Sequence, residues 1–151
     1  MKLLIIEDDE NKRSQLLSFL GQEFPDTVVE TAASLHSGVA RLTSERYDLV
    51  LLDMTMPTFD TTAEEDGGRP QVYGGRSILR QMDRRELKTP VIVVTQFDLF
   101  GDSDYALTLT ELDDELSEAH PNTYCGSVYY NATMESWKGQ LRKKIVETLA
   151  R

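Results

Sequence analysis

The chain holds a single cysteine, Cys125, so no disulfide can form within it, and a reducing compartment fits that usage. Basic residues are scarce: 16 Lys and Arg stand against 26 Asp and Glu, a net charge of −10. Non-specific nucleic-acid binding needs a basic footprint, and this balance excludes it. No apolar run approaches the roughly 20 residues that a membrane-spanning helix requires. The opening MKLLIIEDDE turns acidic after four apolar residues, too few for the apolar region of a signal peptide. A cytoplasmic protein with no nucleic-acid and no membrane partner is expected. The acidic surplus suits contact with basic protein surfaces, or with cations.

What is present is an alternation of apolar runs and helical patterns. A length of 151 residues suits one domain, 1–151, with one core. Short continuous apolar stretches at 2–6, 27–32, 47–53, 90–96 and 126–131 read as strands. Helical patterns lie between and after them. One covers 10–24, with Leu16, Leu17 and Leu20 near one face. One follows Ser34 as cap, with Leu35, Val39 and Leu42 at helical spacing. Others cover 76–87 and 109–119. The last starts at Thr133 as cap, with Trp137, Leu141, Ile145 and Leu149 inward. Strands alternating with helices imply right-handed crossovers and a mainly parallel sheet covered on both faces. Two connections exceed the usual length, at about 58–75 and 97–108. Long loops in compact domains are commonly functional.

Two of the apolar runs end abruptly in acid: LLIIEDDE (3–10) and YDLVLLDMTMP (47–57). In an open α/β sheet, ligands sit beyond the carboxyl ends of strands where the strand order reverses. For a strand order of 2-1-3-4-5 that point lies between the first and third strands. Glu7 and Asp8 end the first; Asp53 ends the third. Carboxylates this close raise one another's pKa unless a cation neutralises them. Hard oxygen ligands with open positions suit Mg²⁺.

At these residues the sequence resembles the response-regulator receiver domain, the CheY-like phosphoacceptor module of two-component phosphorelay signalling. The resemblance rests on LLIIEDD, on YDLVLLDMTMP, on TPVIVVT (89–95) and on the order of elements, and it spans nearly the whole chain. It implies a flavodoxin-like doubly wound α/β fold: a five-stranded parallel sheet, order 2-1-3-4-5, with helices on both faces. It implies that Glu7, Asp8, Asp53 and the backbone carbonyl of Thr55 hold Mg²⁺. Asp53 would be the phosphoacceptor and Thr95 the switch hydroxyl. The implied partners are a histidine kinase or phosphotransfer protein and a downstream protein effector, with a homodimer left open. No enzyme is expected beyond self-phosphorylation from a phosphodonor and autodephosphorylation. A stand-alone receiver is the leading expectation, because the chain ends one helix after the fifth strand.

The pattern also departs from the family. The lysine that usually ends the fifth strand is replaced by Asn131, and the following proline by Ala132. An asparagine donates hydrogen bonds without charge. The aromatic switch position falls on Val128, and Gln96 is bulky where a small residue is usual. Arg69 or Arg76 is a candidate for the missing positive charge. An alternative is a pseudo-receiver, a protein-binding module that is not phosphorylated. A third reading, a Mg²⁺-dependent phosphohydrolase with Asp53 as nucleophile, ranks last, because Thr55 stands where its general acid belongs. GGRPQVYGGRS (67–77) fails as a phosphate-binding loop, since Arg76 replaces Lys and no strand precedes it. His36 and His120 are expected at the surface and form no zinc-spaced set with Cys125.

Overall fold

The computed structural model describes residues 1–59, 74–97, 99–100 and 107–150. Most of both long connections (60–73, 98 and 101–106), and Arg69 with them, lie outside the described residues. The elements run β1 (Lys2–Ile6), α1 (Glu10–Glu23), β2 (Val28–Ala32), α2 (Leu35–Ser44), β3 (Leu49–Leu52), α3 (Gly74–Arg84), β4 (Val91–Thr95), β5 (Leu99–Phe100), β6 (Leu107–Thr108), α4 (Leu109–Ala119), β7 (Tyr124–Tyr129) and α5 (Ser136–Leu149). The main sheet is parallel with order β2-β1-β3-β4-β7. This is the expected 2-1-3-4-5 arrangement, since β5 and β6 form a separate antiparallel pair within the second long connection.

The central strands are apolar along their whole length because both faces are covered. Leu4, Ile6, Val50, Leu52, Val91 and Val93 pack on one side, with Leu42, Ile78, Leu79, Met82, Leu112 and Leu116 from α2, α3 and α4. Leu3, Ile5, Leu49, Leu51, Ile92 and Val94 pack on the other, with Leu16, Phe19 and Leu20 of α1 and Trp137, Leu141 and Ile145 of α5. Two stripes differ from expectation. Leu17 is exposed, and Thr148 rather than Leu149 closes the buried face of α5. Ser34 caps α2 as expected, accepting from the Ser37 N–H.

Glycines account for two misplaced boundaries. Gly74 and Gly75 belong to α3, not to the loop before it. A Cβ on Gly75 would stand 2.9 Å from the Asp53 carbonyl oxygen, so α3 can begin against the end of β3 only with glycine there. Gly126 does not open the last strand; it sits inside β7 at φ 118°, where the pairing with β4 slips between Val91 and Val93. Such a conformation favours glycine, and the slip is a bulge that bends the strand. Thr133 does not cap the final helix. It turns back on Asn131, and α5 starts three residues later.

Candidate functional site

β1 and β3 are neighbours in register, with Ile6 opposite Leu52, so the residues that follow leave the sheet side by side. The Asp53 N–H donates to the Ile6 carbonyl at 3.0 Å, and the Glu7 N–H to that of Ala32 at 2.9 Å. One carboxylate oxygen each from Glu7, Asp8 and Asp53 lies within 4.8 Å of the others. Glu7 and Asp53 are buried, whereas Asp8 faces solvent. Burial, and then the charge of Asp53, pushes the Glu7 carboxyl up to about 8. Burial also raises Asp53, against the opposing pull of Lys12. Asp8 is raised by partial burial and by Asp53. The trio is therefore short of positive charge, and an oxygen-only donor set with one solvent-facing member fits a hard divalent cation.

The sequence reading leaves out a residue at the centre of this site. Lys12, in the first turn of α1, is 1% exposed. Its Nζ donates to the Val94 carbonyl at 2.6 Å and lies 2.9 Å from Glu7 Oε2 and 3.3 Å from Asp53 Oδ1. A signal was there to be seen: Lys12, Leu16 and Leu20 follow at i, i+4 and i+8, which puts the lysine in the apolar stripe. Asp9 caps the helix, its Oδ1 accepting from the Asn11 and Lys12 N–H groups at 2.9 and 3.3 Å. The Asp9 N–H in turn donates to Glu7 Oε1 at 3.1 Å. So the acids after β1 divide their work. Glu7 and Asp8 face the site, and Asp9 sets the direction of the helix that brings Lys12.

The stretch after Asp53 is held from two sides. Asp53 Oδ1 accepts from the Met54 N–H at 2.9 Å, and the Gly75 N–H donates to the Met54 carbonyl at 2.9 Å. Met54 and Met56 are buried, with Thr55 half-buried between them. The first N–H groups of α2, at Leu35 and His36, donate to the carbonyls of Pro57 and Thr58 at 3.0 and 2.8 Å. Helix ends leave such donors free, and here the loop uses them.

Thr95 ends β4 fully buried, and its Oγ1 accepts from the Phe97 N–H at 3.2 Å. Gln96 is exposed. Beyond β4 the expected positions diverge. Val128 and Tyr130 are buried, while Tyr129 is 42% exposed. Asn131 is half-buried, and its Oδ1 is taken by the N–H and hydroxyl of Thr133 at 3.0 and 2.8 Å. Arg76 forms an ion pair with Glu115 of α4. His36 is exposed as expected, but His120 is buried at the end of α4, with Nδ1 2.5 Å from Asp83 Oδ2.

The response regulator receiver domain family matches residues 3–113 of this chain. The Detocs response regulatory protein DtcB of Enterobacter cloacae is 33% identical over 149 residues, covering 97% of this chain and 99% of that protein. The uncharacterised protein y4jR of Sinorhizobium fredii is 33% identical over 144 residues, covering 94% and 95%. Among solved structures, the chain resembles the response regulator TrrA of Thermotoga maritima in complex with Mg²⁺-BeF, with a TM-score of 0.61 at 20% identity, covering 95% of this chain and 97% of that one. A signal receiver domain from Colwellia psychrerythraea superposes with a TM-score of 0.65 at 20% identity, covering 100% and 99%. Among the described residues, no helix is long and apolar enough to cross a membrane.

Proposed function

Since this chain belongs to the response regulator receiver domain family, we propose that it accepts a phosphoryl group on Asp53 and signals through protein contacts. The observation that carries this reading is the buried Asp53 beside Glu7 and Asp8, their carboxylate oxygens within 4.8 Å of one another at the reversal of the strand order. Glu7, Asp8, Asp53 and the Thr55 carbonyl would hold Mg²⁺, which supplies charge neutralisation for the phosphoryl oxygens when bound.

In the transfer, an Asp53 carboxylate oxygen forms a bond to phosphorus while the bond from phosphorus to the donor breaks. The donor keeps that electron pair. Asp53 needs no general base, because it attacks as the anion. Its burial excludes bulk water from one side, and the Met54 N–H holds Oδ1 in place. Thr95, at the end of the adjacent strand, would turn its hydroxyl to the new acceptor group. The donor would be a histidine kinase or phosphotransfer protein, and the reader a downstream effector, in the cytoplasm. Both long connections, 58–75 and 97–108, begin after β3 and β4 at this edge of the sheet, and the chain would act as one receiver-like unit.

Treatment with acetyl phosphate and Mg²⁺, followed by mass spectrometry, tests the reading. Wild-type protein should gain one phosphoryl group, and Asp53→Asn none. Mg²⁺ binding, followed by amide shifts, should weaken in Asp8→Asn. A wild-type protein that binds Mg²⁺ but never gains the phosphoryl group would act as a pseudo-receiver instead.

A further inference from the structure

The last strand of the sheet brings no cation to the site, and the first helix does. We infer that Lys12 contacts the phosphoryl group on Asp53, doing from α1 what lysine does from the end of the fifth strand in other receivers; this rests on Asp53 as the acceptor. Asn131, at the position where that lysine is expected, is committed to Thr133. Its neighbours Val128 and Tyr130 are buried apolar packing. Lys12 Nζ already sits 3.3 Å from Asp53 Oδ1 and 2.9 Å from Glu7 Oε2.

Its placement is fixed before any ligand arrives. The Val94 carbonyl accepts from Nζ at 2.6 Å, Asp9 caps the turn that carries the residue, and the stem lies in the stripe continued by Leu16 and Leu20. A phosphoryl group adds negative charge beside carboxylates that already repel one another. A buried ammonium fixed at this distance meets that charge without reorganising, which is the condition under which such a contact is strong. One Lys12 N–H exchanges a carboxylate oxygen for a phosphoryl oxygen.

Beryllofluoride with Mg²⁺, followed by ¹⁹F NMR, is the probe. Lys12→Met should bind beryllofluoride about tenfold or more weakly. Its affinity for Mg²⁺ alone, read from amide shifts, should be retained or tighter, because a competing cation has gone. Equal beryllofluoride affinity in the two proteins overturns the role of Lys12. So does a parallel loss of Mg²⁺ affinity, which would make Lys12 a support of the acid pocket only. Two further measurements do not depend on that variant folding. In lysine-labelled wild-type protein the Lys12 Cε–H resonance should move when beryllofluoride joins Mg²⁺, and a fixed resonance overturns the inference. Asn131→Lys in the wild-type background should leave the affinity unchanged, whereas a gain of about tenfold would place the vacancy at Asn131. If wild-type protein binds no beryllofluoride, the Asp53 reading falls and the inference with it. Wild-type binding that Lys12→Met leaves untouched sinks the inference alone.

Discussion

Glu7 and Asp53 carry their carboxylates where water barely reaches, and burial is the main reason both hold protons longer than usual. Lys12 offsets part of that demand, with its charge between them. A consequence in pH follows. Glu7 releases its proton at about 8 in the folded protein, against 4.5 ordinarily. Between those values the native state binds more protons than the unfolded state, so stability falls as pH rises. The contribution is fully present below the ordinary value and is lost through the folded one. Metal-free protein in EDTA should therefore melt lower at pH 8 than at pH 6. Mg²⁺ should narrow the gap, and Glu7→Gln should flatten it. A melting temperature that climbs over this range would contradict the placement of Glu7. At this scale the sequence was half legible. A strand-end acid announces itself, because few residues follow a buried apolar run with charge. Lys12 does not, because lysine is rarely buried and its stem is apolar, so a lysine within an apolar stripe reads as a surface residue.

α2 shows how an element holds the site without contributing a functional group to it. Ser34 Oγ accepts from the Ser37 N–H, and Ser37 Oγ from the Ser34 N–H, each at 3.1 Å. With that turn fixed, the next two N–H groups are free to hold the carbonyls of Pro57 and Thr58. Ser34→Ala should cost about 1 kcal/mol in urea unfolding, and amide exchange should quicken at Leu35 and His36. An exchange pattern unchanged there would mean the loop stays docked without the cap. The five strands of the main sheet and the helices α1, α2 and α4 were legible from apolar runs, spacing and caps. α3 and β7 were displaced for one reason. Gly74 and Gly75 fall in the expected loop and Gly126 at the start of the expected last strand, but each stands where another backbone or side chain comes close. Thr133 read as a cap because nothing local reveals that Asn131 claims it first. The long connections could not be read at all, since neither shows a period.

Across the whole molecule the site lies at one edge of a sheet with two distinct cores. The α2–α4 face reaches it through Met54, Met56 and Gly75, and the α1–α5 face through Lys12. That second face holds a chain of rings. Lys12 Nζ stands 5.7 Å from the centroid of Tyr130, Tyr130 lies 5.0 Å from Trp137, and Trp137 lies 5.5 Å from Phe19. Among the described residues the buried Tyr130 hydroxyl has no hydrogen-bond partner, so a small movement of the ring can relieve it. When a phosphoryl group engages the Lys12 ammonium where it stands, the attraction of that cation for the Tyr130 ring weakens and Trp137 feels the change. Trp137 is the only tryptophan in the chain, so its emission reports on the α1–α5 face without overlap from another tryptophan. Adding Mg²⁺ and beryllofluoride should change that emission in wild-type protein and leave it unchanged in Asp53→Asn. Tyr130→Leu should shrink the response while ¹⁹F NMR still shows the ligand bound. Ligand binding with silent Trp137 emission would mean that the two faces are uncoupled and that the signal leaves through α2–α4. A response that survives in Tyr130→Leu would place the coupling in the backbone of α1, not in the rings.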